Sequence, residues 1–354
     1  MSVAFPLNHK AIDCTLSEFI KKMTIKFLKA GSGDCILIQH QSHNIIVDGG
    51  NDFVFLQDQV AEIAKNKEII DLLIITHHDD DHINGVIRLL ELANQGVYGE
   101  GFIKKVIFNS PRKILGTIPK DSDQSLSYRQ AFQVEELLRR LGGCTWADAT
   151  DKSPIEQFGN ITLRFLSPVQ EDLERYSEQP GAFLTEDHRS DWNSTMASLE
   201  RYIDDANTDQ SLANKTSIVI LLEHADVKIL LTGDCTPDRL EAILQCLIDE
   251  GSTDHVKLNY VKLPHHGSYR SLTKGVLEKI RCSRFIISTN GRRHFLPNKR
   301  ALLKIWKYMP RDSGSIDVIF NYADALDSMK ITPNEQKRYG LNLIANNEKY
   351  GFSI

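Results

Sequence analysis

The run His77–His78–Asp79–Asp80–Asp81–His82 places three imidazoles and three carboxylates in six consecutive residues. Carboxylates packed this closely repel one another, and each seeks water or a cation. Imidazole nitrogens and carboxylate oxygens are ligands for divalent metals, and a bound cation turns the repulsion into attraction. Two further clusters carry the same kinds of group: Thr232–Gly233–Asp234 and Pro264–His265–His266–Gly267–Ser268. Each of the three follows an apolar run. If those runs are strands ending at one sheet edge, the clusters converge.

Apolar periodicity identifies the elements that must hold them. "IIDLLIIT" is continuously apolar, as a strand buried on both faces is. The polar run follows it directly as a loop, and "INGVIRLLELANQ" then reads as a helix. Strand, loop, helix is the order in which α/β proteins place a site at a strand's carboxyl end. Upstream, "TIKFLKAGSGDCILIQH" reads as two strands joined at Gly31–Ser32–Gly33–Asp34, and "NIIVDGG" as a strand ending in a tight turn. Downstream, "SIVILLEHADVKILLTGD" reads as a hairpin turning near His224–Ala225–Asp226, with His224 exposed. "PDRLEAILQCLIDEG" is a helix that Gly251 is expected to stop. Residues 1–22 read as an extension whose "TLSEFIKKM" suits a short amphipathic helix. Residues 23–354 form one domain, with an insertion around 169–213 to which no elements are assigned. Hairpin-like early strands and later strand–helix alternation imply an α/β fold of two mixed sheets flanked by helices, rather than one Rossmann sheet.

The 354 residues suit one large domain. Hydrophobic residues make up 41%, enough for a sizeable core. The net charge of −5 excludes a global basic field for nucleic acid or anionic membranes, so any nucleic-acid binding must be local. The six cysteines have no CxxC spacing, which argues against a thiolate zinc site. They read as reduced thiols of a cytoplasmic protein. No apolar run reaches membrane-spanning length, and no membrane association is expected.

His77-x-Asp79-x-Asp81-His82 resembles the HxHxDH signature of the metallo-β-lactamase fold superfamily. Asp in the second ligand slot is similar to the HxDxDH branch, which includes the soluble hydrolase domain of the bacterial competence protein ComEC. "FLKAGSGDCILIQH…IIVDGG", "NKTSIVILLE…ILLTGD" and "VKLPHHGS" resemble further motifs of that branch, in the right order. The likeness runs from about Ile25 to about Ile305. It implies an αββα sandwich and two divalent ions, Zn2+ or Mn2+. His77 and Asp79 would bind one ion. Asp81 and His82 would bind the other with one HHGS histidine, for which His266 is favoured over His265. Asp234 would bridge the two, and His265 would face the substrate. Asp81, His265 and Asp234 are thus the catalytic candidates, with metal-activated hydroxide as nucleophile. Asp48 is expected to hold a ligand histidine in one tautomer. Gly267 and Ser268 are candidates to offer an N–H and a hydroxyl to a phosphate oxygen.

Two departures stand out. Related hydrolases carry His-Pro after a "STNG" stretch, whereas "STNGRRHFLPNKR" puts Leu296 before Pro297, with His294 as the candidate substitute and Asn290 as a candidate substrate contact. The third-motif histidine of many members is replaced by Asn214–Lys215–Thr216–Ser217. His78 and Asp80 fall between ligand positions and are read as non-ligands. The leading expectation is a phosphodiesterase or nuclease. Its alternatives are an esterase or lactonase acting on a small molecule, a small phosphoester included, and a partner-dependent, non-catalytic module encoded in a bacterial defence operon.

Overall fold

Residues 36–40 and 43–47 are two apolar-rich runs separated by two residues, with Gln41 in the left-handed region that a tight hairpin needs (φ 55°). The computed structural model describes residues 23–111, 126–178, 190–204, 206–310 and 314–354. The hairpin becomes β2 (Ile36–His40) and β3 (His43–Val47), with β1 (Met23–Leu28) antiparallel to β2. β4 (Leu72–Ile75), β5 (Lys105–Phe108) and β6 (Thr145–Ala147) continue in parallel from β3, and β17 (Gly351–Ser353) closes the other edge. This first sheet has the order β17-β1-β2-β3-β4-β5-β6.

The second sheet has the order β16-β15-β14-β12-β10-β9-β8-β7. Its antiparallel half is β7 (Glu156–Phe158), β8 (Ile161–Phe165), β9 (Ile220–His224) and β10 (Val227–Leu231). Its parallel half adds β12 (Tyr260–Lys262), β14 (Arg284–Ile287), β15 (Ile316–Phe320) and β16 (Leu341–Ala345). β11 (Val256–Lys257) and β13 (Ile280–Arg281) form a separate parallel pair.

The two sheets stack face to face. Ile45, Val47, Leu72 and Ile74 of the first pack with Ile220, Leu222, Ile229 and Leu231 of the second. The alternate residues Ile46, Leu73 and Ile75 face the helices Val54–Lys65 and Asp80–Asn94. Period-two geometry therefore explains why β4 is apolar throughout: both its faces are covered. Helices including Pro237–Gly251 and Lys299–Tyr308 cover the outer face of the second sheet. The result is the four-layer, two-sheet sandwich expected from the sequence.

Several local expectations are corrected. The helix after β4 begins at Asp80, so Asp81 and His82 lie in its first turn rather than in an extended loop. The acids of that turn meet the positive end of the helix dipole, a favourable start. His224 is the last residue of β9 and is buried, meeting His40 of the other sheet edge-on at 4.9 Å, because Ala225 (φ 51°) and Asp226 make the turn alone. Gly251 stays helical, and Ser252 supplies the left-handed cap (φ 48°). Residues 170–178, 196–199 and 212–215 of the unassigned stretch are helical. Met23 starts β1, and the helix expected in 1–22 lies outside the described residues. The five described cysteines are free. No helix among the described residues is long and apolar enough to cross a membrane.

One backbone crossing sets the position of the helix Asp80–Asn94. Gly49 N–H donates to the His82 carbonyl (2.8 Å) and Gly85 N–H to the Gly50 carbonyl (2.9 Å). A Cβ on Gly85 would stand 2.0 Å from the Gly49 carbonyl oxygen. Backbone cannot yield as a side chain does, so Gly85→Ala is expected to cost about 3 kcal/mol. A lowered urea midpoint with unchanged slope is the measurement that checks it.

Candidate metal centre

The carboxyl ends of β3, β4, β10, β12 and β14 meet at one pole of the sandwich, and the three polar clusters converge there. Asp48, following β3 on left-handed backbone (φ 59°), organises the first of them. Its Oδ1 accepts the Thr76 amide and its Oδ2 the Thr76 hydroxyl, each at 2.7 Å. His82 Nδ1 lies 2.8 Å from the same Oδ2. A carboxylate only accepts, so His82 carries its proton on Nδ1. The Thr76 hydroxyl hydrogen is already given to Asp48, so Thr76 Oγ1 accepts from His77 Nδ1 at 3.1 Å. Asp48 thus fixes the tautomers of two histidines, and both Nε2 lone pairs face the centre.

His265 and His266 adopt consecutive left-handed conformations (φ 46° and 53°). Each costs about 1 kcal/mol, a strain that clusters at ligand-holding sites. The turn separates the two rings. His266 is buried, and its Nδ1 donates to the Ser288 carbonyl at 3.0 Å, so its Nε2 also faces inward. His265 Nδ1 donates to Asp209 Oδ2 at 3.0 Å, and its side chain is 27% exposed.

Asp234 is the common neighbour. Its Oδ1 lies 3.4 Å from His82 Nε2. Its Oδ2 lies 3.5 Å from His266 Nε2 and 3.9 Å from both His77 Nε2 and His265 Nε2. Asp81 Oδ2 is 3.3 Å from His266 Nε2, and Asp79 Oδ2 is 3.6 Å from His77 Nε2. Two atoms that share an ion at about 2.1 Å stand roughly 3–3.5 Å apart, so the His82–Asp234, His266–Asp234 and His266–Asp81 separations suit a shared cation. The buried His77 Nε2, His82 Nε2, His266 Nε2 and Asp234 Oδ1 have no hydrogen-bond partner. Buried polar atoms are normally satisfied, and four orphans aimed at one point fit a divalent metal.

The electrostatics agree. Burial disfavours charge on His82 and His266, yet the facing Asp234 carboxylate overrides it and holds both well above the usual imidazole range. Burial likewise raises Asp234 and Asp81, but the surrounding imidazoles bring both below the usual carboxylate range. The site is built to hold positive charge among carboxylates.

Asp34 and Lys262 escaped the sequence reading, as did Thr76 and Asp209, which orient His77 and His265. Asp34, His82, Asp234 and His266, all buried, each offer one ligand-type atom within 4.8 Å of the others. Asp34 also pairs through Oδ2 with the fully buried Lys262, whose Nζ reaches the Gly233 carbonyl at 3.0 Å and lies 3.7 Å from Asp234 Oδ1. Asp34 Oδ2 is thus met by an ammonium, while its buried Oδ1 has no hydrogen-bond partner, like the orphaned atoms of the histidines and Asp234. A lysine in an otherwise apolar strand ending at a site was the available signal.

Other candidates take different places. Ser268 is buried, its amide donates to the His265 carbonyl, and its hydroxyl caps the next turn by accepting from Arg270 N–H. The Ser268 amide and the hydroxyl's accepting side thus shape the HHGS turn, and the hydroxyl hydrogen is not used in those contacts. Gly267 holds that turn to the Asn298 amide through its carbonyl. The Asn290 side chain accepts from Arg292 N–H, and His294 is exposed on left-handed backbone (φ 55°). Asp80 accepts from Asn84, Gln130 and Arg293, away from the histidines.

His78 turns away as well. It is buried between Tyr128 and Tyr176, with Nε2 2.7 Å from the Tyr176 hydroxyl. Burial pushes its imidazole down to about 4, outweighing the nearby Asp79. An unfolded histidine takes up its proton near 6.5, so stability falls as pH drops below about 6.5 and the loss is complete near pH 4. The full loss is about 3 kcal/mol by the same linkage. A cation bound alongside pushes in the same direction. Urea midpoints of the wild type and His78→Gln at pH 7, 5 and 4 check this: the gap between them is expected to shrink with acid.

A family model described as "Metallo-beta-lactamase superfamily" matches residues 28–141, the segment that carries Asp34, Asp48 and the His77–His82 cluster. The two-sheet sandwich with outer helices is the fold of that superfamily. No curated protein matches the chain. Among solved structures, the metallo-beta-lactamase fold protein YhfI from Bacillus subtilis is similar at 11% identity and a TM-score of 0.45, covering 94% of this chain and 98% of that one. Zn(2+)-bound PqqB from Methylobacterium extorquens is similar at 11% identity and a TM-score of 0.44, covering 94% and 99%. CmlA, a diiron beta-hydroxylase from Streptomyces venezuelae, is similar at 12% identity and a TM-score of 0.41, covering 94% of this chain and 54% of that one.

Proposed function

We propose that this fold carries a dinuclear metal-dependent phosphodiesterase whose substrate class is nucleic acid. The observation that carries the reading is the convergence of orphaned, buried ligand atoms from β4, β10 and β12 on the two oxygens of Asp234. Oδ1 faces His82 and Oδ2 faces both His77 and His266, so this one carboxylate lies next to histidines of both proposed ion sites. His77 and Asp79 would hold one ion, and Asp81, His82 and His266 the other. Three nitrogens and three carboxylates suit zinc or manganese. The His77-x-Asp79-x-Asp81-His82 pattern supports placement near the HxDxDH branch.

Bound divalent ions supply Lewis acidity there, polarising a phosphoryl oxygen and lowering the pKa of water. The protein supplies the rest. The cluster opens to solvent beside Asp79 and His265, whose side chains are 32% and 27% exposed. Substrate enters from that side. Asp209 accepts the His265 Nδ1 proton and so presents Nε2 to the opening. Burial disfavours charge on this imidazole, but the Asp234 and Asp209 carboxylates raise it above its usual range, so Nε2 would carry a second proton for the departing oxygen.

The test is cleavage of end-labelled single- and double-stranded DNA and RNA, with manganese or zinc, by wild type and Asp81→Ala. Cleavage by wild type that the variant loses is the expected result. Turnover of a small diester or lactone without polynucleotide cleavage would move the assignment to a small-molecule hydrolase. No turnover by metal-loaded protein, and no DNA or RNA binding at low salt, would leave a partner-dependent module.

A further inference from the structure

The loop from Ser288 to Asn298 arches beside the metal centre. One foot is the Ser288 carbonyl that accepts from His266 Nδ1. The other is Asn298, whose amide donates to the Gly267 carbonyl and whose Oδ1 accepts from Tyr269 N–H. The crown is tied to the metal-ligand helix by Arg293, whose guanidinium donates to Asp80 Oδ2 at 2.5 Å. Phe295 stands two residues from Pro297, which packs against Gly267. Two residues span at most about 7 Å, so Phe295 is held close to the HHGS turn.

Packing does not explain this residue. Phe295 is 43% exposed while its neighbour Leu296 is buried. Phe295 and His294 both occupy the left-handed region (φ 52° and 55°), which bulky side chains avoid. The loop thus spends backbone strain to keep a phenyl ring in water. The ring is oriented nonetheless. The Trp192 indole meets it edge-on at 6.1 Å with planes at 83°, and is itself fixed by Nε1 donating to the Pro297 carbonyl at 2.7 Å. Three residues earlier in the same loop, Arg292 is exposed and pairs with no described carboxylate, whereas Arg293 is held by Asp80 and Arg300 lies over Tyr269.

An oriented, partly exposed aromatic ring and an exposed guanidinium on one loop are the kinds of group that bind nucleotide units: the ring stacks on a base and the cation meets a phosphate. We infer that Phe295 and Arg292 form a nucleobase-stacking subsite at the mouth of the metal centre, so that the substrate presents an unstacked base rather than a bare phosphodiester. Stacking tolerates any base, so the subsite selects nucleotides without reading sequence. This inference rests on the phosphodiesterase reading and deepens it.

The experiment compares two chromogenic esters with the same leaving group, thymidine 5′-(p-nitrophenyl phosphate) and p-nitrophenyl methyl phosphate, on metal-loaded wild type, Phe295→Ala and Phe295→Trp. The wild type is expected to favour the thymidine ester in kcat/KM by about tenfold or more, since base–aromatic stacking is of that size. Phe295→Ala is expected to bring the ratio close to one, and Phe295→Trp to retain it. No wild-type preference, or a ratio that Phe295→Ala leaves unmoved, overturns the subsite while the hydrolase reading stands. If neither ester turns over, the hydrolase reading fails and the subsite is read by binding alone. Thymidine 5′-monophosphate should then quench tryptophan fluorescence in wild type and not in Phe295→Ala. Equal quenching in both, or none in either, overturns it.

Discussion

Lys262→Met is expected to destabilise the protein by about 4 kcal/mol, the size of effect seen when one partner of a buried ion pair is removed. Methionine matches the length of the lysine stem, so little packing is lost. The charge is what goes. Asp34, Asp48 and Asp234 are all nearly inaccessible, and the Lys262 ammonium is the fixed cation among them. Without it, Asp34 keeps a buried negative charge whose strongest counter-ion is gone. Burial pushes the Asp34 carboxyl up, but Lys262, helped by His266, brings it down to about 2. A depressed carboxylate contributes stability above its unfolded pKa of 3.8 and loses it as pH falls towards 2. That contribution is about 2 kcal/mol by linkage, the same order as the mutational estimate. Urea unfolding of metal-free protein isolates the effect from ligand binding. Asp34→Asn combined with Lys262→Met should recover part of the loss, because neither charge then remains uncompensated. A double variant as unstable as the sum of the singles would show that the two groups act separately.

Asp234→Asn has the largest expected effect on the metal centre. Asparagine keeps the shape and one oxygen but removes the charge shared by His77, His82 and His266. Residues that merely support metal ligands typically change affinity 10–100-fold, so loss of the central carboxylate is expected to weaken binding by more than about a hundredfold. Metal content by elemental analysis should fall well below that of the wild type. Stability gives a second readout that needs no substrate. A metal bound only by the folded state stabilises it by about 4 kcal/mol at a thousandfold excess over Kd. Chelator should therefore lower the melting temperature of wild type and leave that of Asp234→Asn nearly unchanged. Equal chelator sensitivity in both would sink the assignment of Asp234 as the shared ligand.

Much of this centre was legible in the sequence, and the reason is local. β2, β3 and β4 are short and apolar, with turn residues at their ends, and a strand covered on both faces needs no partner to declare itself. The polar clusters stand directly after such strands, so their place at carboxyl ends followed from the order of elements. Where a neighbouring turn or cap decides the geometry, local reading slipped. The acids Asp79, Asp80 and Asp81 opened a helix earlier than expected, and the turn after β9 left His224 inside.

What only the tertiary structure decided is which groups neutralise which. Lys262 lies 228 positions from Asp34 in the chain, and a lysine in "YVKLP" does not say which carboxylate it meets. Its burial follows from the strands that flank β12 and the sheet stacked against it. In the same way, the Asp48–Thr76–His77 chain of hydrogen bonds, the Asp209–His265 contact and the exposure of Phe295 all join residues from separate elements. Ligand-type residues reveal themselves by identity and spacing. The charges that balance them do not, because a Coulomb interaction depends on distance in space and on the surrounding dielectric, and neither is written along the chain.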